Sequence, residues 1–206
     1  MDLFSFVYLQ DEMFDGVMFN QVLHHLQSSS PDGANHHVIQ STLREASRVL
    51  KTGGILMINT CLPHQLLHGY WWYRFIPAAA QKFAYKYPLQ QTLTRWLTEA
   101  GFSDIHVSVP LDQFYRLADE GHFPDDKGQV GEGHFPGDKG QGHCLLKEEW
   151  RATDSFWALP SKEEINDMEA RVREMIKAGT LQSFIEENDN DRLRVGQYAI
   201  MSAKKI

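Results

Sequence analysis

One stretch constrains the fold more than any other: an amphipathic helix signal that runs into Gly53-Gly54 and then into the apolar run ILMIN at residues 55–59. Val38, Leu43, Ala46, Val49 and Leu50 fall at helical spacing, and Asn35 stands where an N-cap belongs. Lys51 in the last turn and the paired glycines end that helix at about Leu50. A short uninterrupted apolar run directly after it reads as a strand buried on both faces, as in an α/β sheet.

The rest of the chain extends the pattern. Residues 15–20 (DGVMFN) read as a short buried strand after the turn-like DEMFD, and 21–30 as a polar, histidine-bearing loop or short helix. Residues 63–87 are crowded with aromatic side chains and read as one or two helices broken near Pro77. Pro88 opens a helix over 89–100, with Leu93, Trp96, Leu97 and Ala100 on one face and Gly101 as its stop. Residues 102–109 (FSDIHVSV) alternate as a strand. From Trp150 order resumes: SKEE at 161–164 reads as a capping box, and Ile165, Met168, Val172, Met175 and Ile176 carry a helical stripe to about Ala178. Thr180 to Arg192 reads as a further helix, or a continuation after a break at Gly179. Residues 196–203 (GQYAIMSA) form a last strand, with Lys204-Lys205 as its polar tail. Such alternation of strands and helices is an α/β layered pattern.

One segment departs from it. EGHFPDDKGQVG at 120–131 recurs as EGHFPGDKGQG at 132–142, and seven glycines between 121 and 142 leave no apolar periodicity. Residues 120–143 are therefore expected to form a low-complexity loop within a single domain spanning 1–206. His122, His134, His143 and Cys144 are zinc-compatible types, but their spacings match no pair scheme and two of the histidines come from the duplicated unit; no metal is expected. Lys and Arg number 20 against 27 Asp and Glu, for a net charge of −7, so neither nucleic acid nor an anionic membrane is an expected partner. No apolar run reaches the ~18 residues of a membrane span. The N-terminus lacks a basic region before its first acids, and two cysteines make no disulfide framework; a cytoplasmic, reducing setting is expected.

Three segments together resemble one family. FDGVMFNQVLHHL at 14–26 is similar to the fourth strand and following loop of class I S-adenosylmethionine-dependent methyltransferases. EASRVLKTGGILMINTCLP at 45–63 resembles their helix, glycine turn and fifth strand, although Thr52 stands where proline is usual. LTEAGF at 97–102 resembles the junction before the sixth strand. The likeness is to the small-molecule type called methyltransferase type 11, and WRATDSFWAL at 150–159 resembles its late substrate-side segment. The resemblance implies a partial Rossmann-like sheet of strands of type 4, 5, 6 and 7 in the order 4-5-7-6, the seventh antiparallel, with helices on its faces. It implies methyl transfer from S-adenosylmethionine to a small molecule.

The family's glycine-rich turn, expected ahead of these segments, does not occur: thirteen residues precede Phe14, and the glycines at 121–142 lie between no strand and helix. The expectation is a chain lacking the N-terminal cofactor-binding portion, with activity and cofactor binding by the chain alone in question. Its alternatives are a non-catalytic binding or structural paralogue, or one half of a split enzyme. The fourth-type strand then becomes an open edge. Residues 3–9 (LFSFVYL) either lie on it as a substitute strand or are a remnant, and alternation about Ser5 favours the first. A homodimer or a complementing chain at that edge is the expected partner beside a small-molecule substrate.

The resemblance also implies site residues. Asn20, Gln21 and Val22 follow the first core strand and border the cofactor. His24 and His25 match the family's LHHL, with acid, base or network-tuning roles set against a framing role for the short helix. Asn59 and Thr60 end the second core strand on the same side of the sheet, as substrate-binding candidates. Tyr70 and Trp71, with Trp157 from the late segment, would line an apolar substrate pocket; the competing use of such rings is packing against the sheet.

Overall fold

The structure is a computed structural model and describes residues 9–26, 37–111, 143–152 and 154–206. Four strands form one sheet: β1 (Phe14–Asn20), β2 (Leu50–Thr60), β3 (Phe102–Ser108) and β4 (Ala199–Lys205), in the order β1-β2-β4-β3. β1 and β2 run parallel, joined by a crossover through α1 (His37–Val49), and β4 is antiparallel to both β2 and β3. That is the order expected for strands of type 4, 5, 7 and 6. Asn35 and residues 3–8 lie outside the described residues, as do residues 112–142, which include the repeat at 120–142.

Helices cover one face of this sheet. Ile39, Leu43 and Ala46 of α1 and Leu93, Trp96 and Leu97 of α4 (Gln90–Glu99) bury against Phe19, Leu56, Ile58, Phe102, Met201 and Ala203. Leu56 and Ile58 are sealed, but their neighbours Ile55 and Met57 are 42% and 39% exposed. The two-faced burial expected for residues 55–59 is therefore corrected to one face. The same holds for β1, where Phe19 is buried and Met18 is 57% exposed. Among the described residues, no helix lies over the second face.

Local irregularities have visible causes. The first helix ends at Val49, not Leu50; Leu50 already pairs with Phe14, and the ladder slips before Gly16 meets Ile55, so Lys51–Gly54 bulge outward. Lys51 reaches Asp15 there at 2.8 Å. In β3 one extra residue between Ser103 and His106 makes a bulge around Asp104, whose φ is 47°. That slip keeps Phe102 and Val107 on the covered face. Lys204 and Lys205 are strand, not tail: Lys205 Nζ donates to Leu50 O at 2.6 Å.

A second core sits beyond the carboxyl ends of β1 and β2. It contains α2 (Pro63–His68), a 3-10 turn (Trp71–Phe75), α3 (Pro77–Ala84), a turn at His143–Leu146, α5 (Glu148–Arg151), a turn at Ser155–Ala158, α6 (Lys162–Ala178) and α7 (Leu181–Val195). The aromatic stretch thus breaks at Gly69–Tyr70 as well as before Pro77. Ser161 caps α6 in a capping box, and the partner carboxylate, Glu164, also accepts from the amides of Ala78 and Ala79 at the start of α3. One glutamate therefore ties two helix starts together. No helix among the described residues is long and apolar enough to cross a membrane.

Candidate functional site

In an α/β sheet the ligand crevice lies beyond the carboxyl ends of the parallel strands. Here that position is the meeting of Asn20 and Gln21 after β1 with Asn59, Thr60 and Cys61 at the end of β2. Asn59 Nδ2 donates to Asn20 Oδ1 at 2.8 Å, and Gln21 Nε2 donates to Asn59 Oδ1 at 3.3 Å. The Gln21 amide reaches Asn59 O at 2.8 Å, with Gln21 in the left-handed region at φ 49°. A non-glycine residue in that region is uncommon and concentrates at functional sites. Asn20 is exposed, whereas Gln21, Val22 and Asn59 are half-buried. Three carboxamides so form a continuous polar strip on the crevice wall.

The strip continues inward. The Cys61 thiol lies 3.7 Å from both Gln21 Oε1 and Tyr70 Oη, and Tyr70 Oη donates to Gln197 O at 3.0 Å. Burial pushes the Cys61 thiol up to about 11. Thr60 is buried and bonds only locally, to Cys61 O at 3.3 Å. Cys61, Gln65 and Gln197 were not singled out from sequence. For Cys61 the available signal is its place one residue past the end of a core strand.

Tyr70 and Trp71 are 3% and 6% exposed and belong to the second core, while Trp157 is half-buried at its rim. From Tyr70 the rings run in contact through Tyr73, Phe156, Phe83 and Tyr87 to His24, with centroid separations of 5.2, 4.2, 5.1, 5.2 and 4.6 Å. His24 is 7% exposed and its Nδ1 has no partner among the described residues, while His25 beside it is exposed. Burial, reinforced by His25 and Lys86, lowers His24 to about 3, so its imidazole stays neutral at physiological pH. The two adjacent histidines therefore divide: His24 is part of the aromatic stack, and His25 faces solvent. Among the described residues no group of three or more His, Cys, Asp or Glu side chains is arranged to hold a metal ion. His122 and His134 lie outside them.

Residues 7–107 match the family described as a methyltransferase domain. No match is found among curated protein sequences. Among solved structures, the fold is similar to that of a protein from Anabaena variabilis described as a methyltransferase from an antibiotic biosynthesis pathway. The identity is 15%, the TM-score 0.60, and the match covers 94% of this chain and 68% of that one. A SAM dependent methyltransferase from Archaeoglobus fulgidus matches at 18% identity and a TM-score of 0.44, over 97% of this chain and 62% of that one. Haemonchus contortus phosphoethanolamine N-methyltransferase 2, in complex with S-adenosyl-L-methionine, matches at 15% identity and 0.40, over 96% and 34%. The first likeness carries the fold. The chain spans from about a third to about two thirds of the length of these proteins.

Proposed function

We propose that this chain is a relative of the class I S-adenosylmethionine-dependent methyltransferases and forms the acceptor-side wall of a site for methyl transfer to a small molecule. The observation that supports this is the carboxamide strip Asn20–Asn59–Gln21 at the carboxyl ends of two parallel strands. When bound, S-adenosylmethionine supplies an electrophilic methyl on a sulfonium. The chain's own contribution is to orient: neutral amide dipoles hold polar ligand groups while the aromatic core behind them excludes water. Val22, following Gln21, adds an apolar contact. His25, exposed in the short turn that follows the strip, is the candidate general base for an acceptor that must lose a proton. His24, neutral and stacked, positions the turn that carries it.

The residues present fit the methyl end of the cofactor and not its adenosine end, because no strand-to-helix turn rich in glycine occurs in the sequence. Calorimetric titration of the chain with S-adenosylmethionine tests this. Each unmade bond to a buried polar group costs about 1–3 kcal/mol, so binding far weaker than micromolar is expected. A dissociation constant of about 1 μM would overturn the half-site reading.

A second reading is a non-catalytic paralogue or one half of a split enzyme, and the burial of Tyr70 and Trp71 in the core favours it. It differs in outcome. A split half gains cofactor binding when the complementing polypeptide is added, and a non-catalytic paralogue does not.

A further inference from the structure

Each side-chain carboxamide carries one oxygen, which accepts hydrogen bonds, and an NH2 group, which donates them. In the crevice strip every such bond runs in the same direction. The Cys61 thiol reaches Gln21 Oε1 at 3.7 Å, Gln21 Nε2 donates to Asn59 Oδ1 at 3.3 Å, and Asn59 Nδ2 donates to Asn20 Oδ1 at 2.8 Å. The oxygens of all three carboxamides therefore accept within the relay. Gln21 and Asn59 each spend one N–H in it and keep another. Asn20, at the outer end, spends none and is exposed.

The direction is fixed at the inner end. The backbone oxygen of Gln197 can only accept, so it holds the Tyr70 hydroxyl proton at 3.0 Å and leaves the Cys61 thiol as the donor toward Gln21. Burial pushes that thiol up to about 11, so it keeps its proton at neutral pH. Reversing the Gln21 amide would set its NH2 against sulfur, a weak acceptor, and its oxygen against the oxygen of Asn59. Asn59 and then Asn20 would have to reverse as well. The strip turns over only as a unit.

We propose that this strip is a donor surface that recognises a carboxylate on the small-molecule acceptor. Taking the acceptor as the source of the carboxylate rests on the methyl-transfer reading; the donor pattern does not. Hydrogen bonds to an ionised oxygen are stronger than those to a neutral one, so spare N–H groups favour an anion. A ligand ammonium would meet only oxygens that are already engaged. Among the described residues no lysine or arginine bonds these carboxamides, so the surface is neutral and suits a monoanion better than a phosphate dianion. The carboxylate of Asp154 acts on Cys61, at the inner end of the relay, and its Oδ1 accepts from the Phe156 amide at 2.9 Å. The ligand anion belongs at the other end, on Asn20.

Nitrogen-15 NMR of the full chain follows the side-chain NH2 signals of Asn20, Gln21 and Asn59 directly, with benzoate, benzylamine and L-methionine as probes. Benzoate should shift these signals saturably, and benzylamine should not. Asn20→Asp keeps the oxygen that Asn59 bonds and removes only the outer NH2, so benzoate should bind about tenfold more weakly. Cys61→Ala removes the anchoring proton and should also weaken benzoate, whereas Cys61→Ser restores a donor and should recover it. The backbone amide spectrum reports that each variant is folded. Absence of a saturable benzoate shift would overturn the proposal, as would equal shifts with benzylamine or an unchanged benzoate affinity in Asn20→Asp. Methionine carries the cofactor's own carboxylate beside an ammonium. If it shifts the strip and benzoate does not, the donors serve the cofactor and the proposal fails. These binding readouts need neither turnover nor S-adenosylmethionine, so they stand or fall apart from the calorimetric titration that tests the methyl-transfer reading.

Discussion

Gly69 and Gly196 pack backbone against backbone: a Cβ on Gly69 would run into the carbonyl oxygen of Gly196. The contact joins the end of α2 to the turn between α7 and β4. Two buried glutamines stitch the same junction. Gln65 Nε2 donates to Val195 O and Tyr198 O at 3.0 and 2.9 Å, and Gln197 Nε2 donates to Gly69 O at 3.2 Å. Since α2 hangs from the end of β2 and the turn feeds β4, this junction fixes the inner wall of the crevice.

Gly69→Ala should therefore lower stability by about 2–3 kcal/mol through overpacking alone, because its φ of −85° suits any residue. Gly179→Ala is the control. It has open space around it but sits at φ 69°, so only the left-handed backbone is penalised, by about 1 kcal/mol. Urea unfolding of both variants separates the two causes. Equal losses would show that the glycine–glycine contact is not tight.

Cys61 should resist alkylation in the native protein. Burial holds its thiol near 11, so at pH 8 the reactive thiolate is a minute fraction. Iodoacetamide at pH 8 should leave Cys61 unmodified until denaturant is added, as read by peptide mass. Rapid native labelling of Cys61 would mean that the crevice opens to solvent between Gln21 and Tyr70.

Strand order was legible through the family resemblance of three segments, and the elements formed near where their patterns placed them, although the first helix stops at Val49 and the last strand runs from Ala199 to Lys205. Which faces those strands bury was not. ILMIN carries no alternation, so only the positions of α1 and α4 decide that Leu56 and Ile58 are covered while Ile55 and Met57 are not. The candidate site was legible at Asn20, Gln21 and Asn59, which end strands. Its distortion was not, since nothing about glutamine signals the left-handed backbone of Gln21. The crowding of rings at 70–75 signalled an aromatic cluster without saying whether it packs or binds. Most of these rings pack.

The duplicated unit is the next test. Deleting residues 132–142 should change the thermal midpoint by little, because its sequence offers almost no apolar surface and loop-closure entropy grows slowly with length. The flanks are anchored independently: Arg192 donates to Leu111 O at 2.7 Å, and Cys144 and Leu145 are buried. A fall of many degrees would mean that the duplicated unit contributes to the core. By contrast Arg192→Ala, which strips a buried guanidinium from both Leu111 O and Asp189, should be clearly destabilising.

His24 makes stability depend on pH below neutrality. Its ordinary value is 6.5, and burial against Tyr87 and Phe83, with His25 and Lys86 nearby, lowers it to about 3 in the folded chain. Between these values the unfolded chain binds a proton that the folded chain refuses, so stability rises with pH across the window. The contribution is complete above 6.5 and is lost as pH falls, by up to about 1.4 kcal/mol per pH unit. Urea midpoints measured between about pH 5 and pH 7 should fall steadily on acidification. His24→Phe keeps a ring on Tyr87 and removes the titration, so its profile should flatten. His64, which partial burial also holds below its usual value, leaves a small slope of the same sign. If His24→Phe retains the full acid slope of the parent, His24 is not the buried neutral group that its stacking implies, and the division of labour between His24 and His25 falls with it.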